Sequence, residues 1–149
     1  MLVISPAIIF LSKFLSYSTF FKGLSLIDIA VCDFKEQTNR FVITYIYFNS
    51  FFSSRIALRS ISTGFSSLKT LNYVFYSAGW LEREVLDMFG LFFTGNTNLC
   101  RILTDYGFDG FPLQKDFPVL GFIEKQYSLA DHVVISRRVI FSQEFRVVT

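Results

Sequence analysis

The stretch RFVITYIYF, residues 40–48, decides how the neighbouring parts of the chain must be arranged. After Arg40 it is almost wholly β-branched or aromatic, and such residues favour β-strands. Because polar residues hardly interrupt it, the pattern predicts a strand that is covered on both faces. The polar residues 35–39 predict a turn before this strand, and residues 49–54 predict a hairpin loop after it.

Two further strands are predicted on either side of this stretch. Residues 26–34, LIDIAVCDF, place Ile27, Ile29 and Val31 on one face of a strand. Residues 55–61, RIALRSI, alternate between apolar side chains on one side and arginines on the other. This second alternation predicts a half-exposed strand, so the first half of the chain is expected to form a small sheet.

Downstream of the strands the apolar residues change to helical spacing. Leu68, Leu71 and Phe75 predict a first helix, with Ser66 or Ser67 as its N-cap. Strands followed by helices predict an α+β fold, a small sheet with packed helices.

A second helix is expected after a break at Gly79. Its apolar stripe consists of Leu81, Val85 and Met88, and Gly90 stands where a C′ residue would end the helix.

Beyond about residue 91 the sequence is rich in glycine, proline, asparagine and aspartate, with only short apolar runs. A long irregular segment in a compact protein needs a reason, and contact with a partner is the simplest one. We therefore expect three parts: an apolar N-terminal segment (residues 1–25), an α+β domain (26–93) and an extended subunit-binding arm (94–149).

The composition favours a chain that is covered by other proteins. The 149 residues are 52% hydrophobic and 17% charged and include 20 Phe and 7 Tyr, so some aromatic residues should lie on the surface. Lys13 and Lys22 interrupt the apolar N-terminal segment, which favours burial against partners over a bilayer span or a signal peptide. A net charge of +2 with scattered basic residues argues against nucleic-acid binding.

Three carboxylates of the second predicted helix are the candidate catalytic residues. Helical spacing places Glu84 and Asp87 on one face together with Trp80, whereas Glu82 lies elsewhere around the helix. Two carboxylates on one face fit a general acid and base. They also fit acceptors of hydrogen bonds or partners of arginines such as Arg83, in this chain or in a neighbour. We favour this second interpretation because no pocket, metal or histidine accompanies the pair.

The thiols and the single histidine exclude a self-contained metal centre. Cys32, Cys100 and His132 are far apart in sequence, whereas zinc and iron–sulfur sites need clustered ligands. Two buried, reduced thiols are favoured over a disulfide. No phosphate-binding loop, dinucleotide-binding glycine motif or hydrolase motif is present.

The segment DYGFDGFPLQKDFP, residues 105–118, has the composition of a docking loop. Its glycines permit unusual backbone conformations and its prolines restrict their neighbours. Its side chains combine aromatic bulk with a few fixed charges, which is typical of interface cores. They include Asp105, Tyr106, Phe108, Phe111, Pro112, Lys115, Asp116 and Phe117.

WLEREVLDMFG (residues 80–90), followed by RILTDYGFDGFPLQKDFP (residues 101–118), resembles the signature of the thirty-kilodalton subunit family of respiratory complex I. The resemblance extends more weakly through most of the chain beyond residue 26. It implies an inter-subunit seam, and the residues predicted for that seam are Trp80, Glu82, Arg83, Glu84, Asp87, Arg101, Asp105, Tyr106, Phe108, Phe111, Pro112, Lys115, Asp116 and Phe117. No catalytic residue is expected.

Six positions depart from the family pattern within this region. Histidines, arginines, a proline and an aspartate are replaced there, which predicts a partner surface that has changed as well. The departures are Asn96, Thr97, Asn98, Cys100, Phe111 and Gln114.

The resemblance implies a cofactor-free structural subunit of the quinone-reducing module. NADH, FMN, the iron–sulfur clusters and ubiquinone are then held by other subunits, and the arm wraps the forty-nine-kilodalton subunit. The expected location is peripheral, on the matrix side of the mitochondrial inner membrane; Met1 and the phenylalanine content favour an organelle-encoded chain over an imported one. The alternatives are an equivalent scaffold subunit of a membrane-bound hydrogenase or dehydrogenase, and a free-standing hydrolase that uses Glu84 and Asp87.

Overall fold

The computed structural model describes residues 2–3, 7–35, 38–64 and 66–140. Within these ranges the chain forms two α-helices, one short 3₁₀ helix and eight strands, an α+β arrangement as predicted. The elements are β1 (Leu2–Val3), α1 (Ala7–Tyr17), the 3₁₀ helix (Thr19–Phe21), β2 (Leu24–Asp33), β3 (Phe41–Asn49), β4 (Ser54–Ser62), β5 (Leu68–Lys69), α2 (Ala78–Phe89), β6 (Phe93–Thr94), β7 (Ile123–Ser128) and β8 (Val133–Arg138).

A four-stranded sheet with the order β1-β4-β3-β2 forms the base of the fold. Strand β3 pairs antiparallel with β2 and β4, and β1 pairs parallel with β4. Ile43, Tyr45 and Tyr47 are fully buried, whereas the residues between them are only half-buried. The prediction that both faces of this strand are covered is therefore confirmed for one face only.

The alternation predicted for β4 is confirmed, but the face predicted for β2 is partly wrong. The register of β2 against β3 shifts between Leu26 and Asp28, which is the mark of a β-bulge. Ile27 is consequently 48% exposed, and Leu26 takes the buried position together with Ile29. One extra residue is sufficient to turn a side chain to the opposite face because the side chains of a strand alternate with a period of two.

The first predicted helix is wrong. Leu68 and Lys69 form β5, which pairs parallel with β6, and Leu68 lies opposite Phe93. A single turn follows, in which the Val74 and Phe75 N–H groups donate to the Leu71 carbonyl. The apolar side chains at these positions are buried by this strand and turn, so their helical spacing does not reflect a helix.

Helix α2 confirms most of the second helical prediction. It begins at Ala78, so Gly79 lies inside the helix and does not precede it. Val85 is buried and Leu81 is half-buried against the core. Gly90 has a left-handed φ of 74°, and its N–H donates to the Leu86 carbonyl, as expected of a C′ glycine.

Helix α1 packs on the same core as the sheet, a feature that the sequence analysis did not predict. Ile8 is buried among the core residues, and the Ser12 hydroxyl lies 2.7 Å from the Tyr47 hydroxyl. Burial raises the pKa of Tyr47 to about 12, although the Ser12 hydrogen bond lowers it. Within the described ranges, neither helix combines the length and apolar character that crossing a membrane would require.

Residues 95–122 contain no helix or strand. They are followed by the antiparallel hairpin of β7 and β8, which was not predicted. The hairpin is exposed on nearly all of its residues, so its strands are stabilised mainly by each other.

Candidate functional site

Asp87 of helix α2 binds the start of the loop formed by residues 101–118, hereafter the α2 loop. The carboxylate is fully buried. Its Oδ2 accepts the N–H groups of Ile102, Leu103 and Thr104 at 3.2, 2.6 and 2.9 Å, and its Oδ1 accepts the Thr104 hydroxyl at 2.6 Å. Burial raises the pKa of Asp87, but these four hydrogen bonds outweigh it, and the pKa ends below its ordinary value.

Glu82, five residues earlier on α2, accepts hydrogen bonds from a different part of the chain. Its Oε1 accepts the Leu71 N–H at 2.7 Å, and its Oε2 accepts the Thr70 hydroxyl at 2.6 Å and the Asn96 amide at 2.9 Å. The side chain is fully buried, and burial raises its pKa despite the three hydrogen bonds. Glu82 therefore connects α2 to the segments on both sides of it.

Arg101 closes the α2 loop on itself. Its guanidinium donates to the carbonyls of Phe108 and Gly110 at 2.7 and 2.6 Å, and its Nε lies 3.7 Å from Asp87. The same group stacks over the Phe111 ring at 4.9 Å. One planar cation thus fixes both ends of a glycine-rich turn.

The far end of the α2 loop is attached to the sheet by a charged cluster. Arg40 donates to both oxygens of Asp33 at 2.7 Å, and Asp33 also accepts the Lys115 N–H at 2.9 Å. Asp116 lies 2.7 Å from Arg40 and 2.8 Å from Lys35. The hydrogen bond from Arg40 lowers the pKa of Asp33, and the hydrogen bond from Lys35 lowers that of Asp116.

Replacing Asp33 with asparagine is expected to destabilise the chain by about 1.5–3 kcal/mol at neutral pH, because a buried charge-assisted pair is lost. The pKa of Asp33 is lower in the folded than in the unfolded chain. Its contribution is therefore complete above the ordinary pKa of 3.8 and is lost as the pH falls through the folded value. Urea unfolding of both proteins between pH 7 and pH 2.5 measures this difference. A difference that does not shrink in acid would contradict the assignment.

The middle of the α2 loop covers the C-terminal end of α2. The Gln114 amide donates to the Phe89 carbonyl at 2.6 Å, and the Leu113 N–H donates to the Met88 carbonyl at 3.1 Å. The Phe111 ring lies against Gly90, where an added Cβ would come within 2.6 Å of it. Glycine is required here for its positive φ and for this close approach.

Replacing Gly90 with alanine is expected to cost about 2–4 kcal/mol, from a left-handed φ combined with overpacking against Phe111. Gly107→Ala is the matched control, since Gly107 has a φ of 69° but nothing within 4 Å of an added Cβ. Urea unfolding of the two variants separates the backbone cost from the contact. Equal losses in both variants would show that the Phe111 contact contributes nothing.

Three residues outside this buried network have aromatic or cationic side chains. Trp80 is 59% exposed, and the Arg83 guanidinium lies 4.7 Å from its ring. Arg83 also donates to the carbonyl and the sulfur of Cys100 at 3.2 and 3.0 Å. Tyr106 is 104% exposed, so its whole ring is available. We use the name aromatic surface for this set of residues, Trp80 and Arg83 on α2 and Tyr106 in the α2 loop.

The structure divides the predicted seam residues into two groups. Glu82 and Asp87 bind this chain's own groups. Glu84 is exposed and does not pair with Asp87, and Arg83 makes no ion pair with a carboxylate of the described residues. The remaining members lie in or beside the α2 loop: Phe108 and Phe117 pack together at 5.7 Å, Pro112 is half-buried, and Asp105 pairs with Lys125 at 2.9 Å.

Several residues that build this site were missed in the sequence. Thr70, Thr104, Asp33 and Arg40 stand in no motif. Their partners lie 7–17 residues away in sequence or, for Asp33 and Lys115, 82 residues away. Four of the residues that depart from the family pattern also make contacts within this chain. Asn96 binds Glu82, Cys100 binds Arg83, Phe111 packs on Gly90 and Gln114 binds Phe89.

Both cysteines are free and exposed, so the prediction that they are buried is wrong. Cys32 lies on the outer side of β2, and the Cys100 sulfur accepts a hydrogen bond from Arg83. In the described part of the chain, no group of three or more His, Cys, Asp or Glu side chains is placed to hold a metal ion.

Comparisons with known proteins agree with the sequence resemblance. The family described as the 30 Kd subunit of respiratory-chain NADH dehydrogenase matches residues 3–122. NADH-ubiquinone oxidoreductase subunit 9 of Reclinomonas americana is 39% identical over 139 residues, covering 93% of this chain and 68% of that protein. NADH dehydrogenase [ubiquinone] iron-sulfur protein 3 of Oryza sativa subsp. japonica is 40% identical over 89% of this chain and 70% of its own length.

Two solved structures share the fold. The trypsin-resistant fragment of Nqo5 superposes with a TM-score of 0.53 at 24% identity, over 66% of this chain and 80% of that chain. A chain of the archaeal membrane-bound sulfane sulfur reductase superposes with a TM-score of 0.69 at 21% identity, over 80% of this chain and 71% of that chain. At these identities the likeness concerns the fold alone.

Proposed function

Because this chain belongs to the family of the 30-kDa subunit of respiratory-chain NADH dehydrogenase, we propose that it is a structural subunit of the quinone-reducing module of proton-pumping NADH:ubiquinone oxidoreductase. It supports electron transfer from NADH to ubiquinone without taking part in the chemistry. Its curated relatives are named as subunits of such oxidoreductases.

The observation that carries a structural role is the division of α2 into buried acids and an aromatic surface. Glu82 and Asp87 are fully buried and accept three and four hydrogen bonds within the chain, so both carboxylates are engaged by this chain's own groups. Trp80 and Tyr106 are left exposed, and exposed aromatic residues of this kind are typical anchors of protein interfaces. Asp87 is fully buried and Glu84 is exposed, so the two carboxylates do not form the acid–base pair that a hydrolase would need.

We propose that the chain carries no cofactor. Some relatives are named iron-sulfur protein, but this chain has two cysteines and one histidine among its 149 residues. A cluster takes four ligands, usually cysteine thiolates, so the chain's own thiols and imidazole do not suffice. NADH, FMN, the clusters and ubiquinone are then bound by other subunits.

The proposed partner of the arm is the forty-nine-kilodalton subunit of the same module, in a hetero-oligomer that is peripheral to the membrane. The α2 loop and the exposed hairpin of β7 and β8 supply the surface for this contact. The mitochondrial relatives support a location at the mitochondrial inner membrane, and we propose its matrix side.

The test is assembly of a Trp80→Ala, Tyr106→Ala variant. We expect at least a tenfold smaller share of the variant in the complex, about the effect of losing two aromatic hot spots. The measurement is a native gel of detergent-solubilised membranes, with an NADH dehydrogenase stain and mass spectrometry of the stained band. Tyr17→Ala removes an exposed tyrosine from α1 and serves as the control. Assembly of the double variant at the wild-type level would refute the role of the aromatic surface.

A further inference from the structure

The outward side of the four-stranded sheet, opposite the core, has an apolar centre. Val42, Ile46 and Phe48 of β3 point to this side and are half-buried, with Thr44 between them. In an antiparallel sheet with one solvated face, the residues on that face are normally polar. The outward residues of β3 therefore differ from those of an ordinary solvent-exposed sheet.

Small side chains lie beside this apolar row on both neighbouring strands. The pairing places Ile46 opposite Ala57 of β4, Thr44 opposite Ala30 of β2, and Val42 opposite Cys32 of β2. Ala30, Cys32 and Ala57 are exposed. The row of β3 with its small neighbours forms the surface that we call the outer sheet face. It is flanked on β2 by the exposed carboxylate of Asp28, which lies opposite Ile46.

One rim of the outer sheet face is positively charged. Arg55 and Arg59 of β4 are exposed and point to the same side, four residues apart. The guanidinium of neither residue makes an ion pair or hydrogen bond with any described residue, whereas that of Arg40 binds two carboxylates. At about 3.3 Å per strand residue, the two guanidinium stems are about 13 Å apart.

We propose that the outer sheet face binds an amphipathic α-helix of another subunit, with its apolar stripe on the row of β3 and two carboxylates on Arg55 and Arg59. Charge complementarity with the two unpaired arginines assigns an acidic partner. On a helix that rises about 1.5 Å per residue, carboxylates seven or eight positions apart share a face and span about 11–12 Å. The bound helix would complete a three-layer arrangement around the sheet. This inference rests on the proposed function, because it needs a complex that contains the chain.

The two native cysteines allow a first test without any mutation. Cys32 lies on the outer sheet face, whereas Cys100 is hydrogen-bonded to Arg83 of the aromatic surface. We expect iodoacetamide to modify Cys32 at least about tenfold more slowly in the assembled complex than in the folded isolated chain, because interfaces exclude water. Slow modification of Cys100 with unchanged modification of Cys32 would overturn this inference alone. Unchanged modification of both thiols would contradict the proposed function as well.

A photo-cross-linking residue at position 57 in the complex then identifies the occupant. The expected product is a peptide from another subunit that is amphipathic and carries two carboxylates seven or eight positions apart. A lipid adduct, a link to a second copy, a link to residues 141–149 of this chain, or no product would each overturn the proposal.

Charge variants test the arginines directly. Arg55→Gln with Arg59→Gln should reduce the yield of that cross-link by about threefold to tenfold, as expected when two rim charges are removed. Lys13→Gln with Lys69→Gln removes two exposed cations elsewhere and should leave the yield unchanged. Equal yields for both double variants would overturn the assignment of an acidic partner.

Discussion

Replacing Asp87 with alanine is expected to lower the free energy of unfolding by about 3–5 kcal/mol, the range for removing one partner of a buried, hydrogen-bonded charge. The change leaves three successive N–H groups, those of residues 102–104, and the Thr104 hydroxyl without their acceptor. It also removes the carboxylate beside Arg101. Urea unfolding of the full chain, followed by circular dichroism, measures the loss.

Two variants control for this result. Asp109→Ala removes an exposed carboxylate from the same loop and should change the stability by less than about 0.5 kcal/mol. Asp87→Asn keeps one acceptor oxygen and should fall between the other two. If Asp87→Ala unfolded at the same urea concentration as Asp109→Ala, the carboxylate would not be organising the loop.

Replacing Glu82 with alanine is expected to cost about 2–4 kcal/mol, somewhat less than the loss at Asp87. Three donors, from Thr70, Leu71 and Asn96, lose their acceptor, and each buried unsatisfied group costs about 1–3 kcal/mol. Part of this loss is offset because burial of the Glu82 charge is itself unfavourable, as its raised pKa shows. Glu84→Ala, two residues along the same helix but exposed, is the matched control in the same unfolding experiment.

The pH dependence distinguishes Glu82 from the other buried acid. Its pKa is higher in the folded than in the unfolded chain, so the folded state holds the extra proton. Stability relative to Glu82→Gln should therefore be greatest below the ordinary pKa of 4.5 and decrease as the pH rises through the folded value. For Asp87 the sign is reversed, because its pKa is lowered. An opposite slope for Glu82 would show that its hydrogen bonds outweigh burial.

The sequence was sufficient to predict the elements whose signals are local. The alternation in β4 and the glycine at the end of α2 gave correct assignments, since each depends on neighbouring residues. The bulge at Ile27 could not be predicted from the sequence, because an extra residue in one strand is defined only by its pairing with the partner strand. Likewise, Leu68 pairs with Phe93, 25 positions away, and no periodicity reveals such a pairing.

The candidate site was predictable in composition but not in arrangement. The sequence marked Glu82, Glu84 and Asp87 as a group, yet only two of them are buried. What separates them is the position of backbone donors from residues 71 and 102–104, and every residue type except proline carries such a donor. The sequence identified the aromatic residues of the α2 loop as candidates for a subunit interface, and this role remains a prediction.

The α2 loop has no secondary structure of its own and is held by side chains of α2 and β2. It can reach its native form only after those two elements are in place, since Asp87 and Asp33 supply the acceptors. The loop should consequently order after the rate-limiting step of folding. Changes at Asp87 should then shorten the lifetime of the native state and leave the refolding rate almost unaltered. A newly made chain would present the sheet and α2 to its neighbours before the loop closes over them.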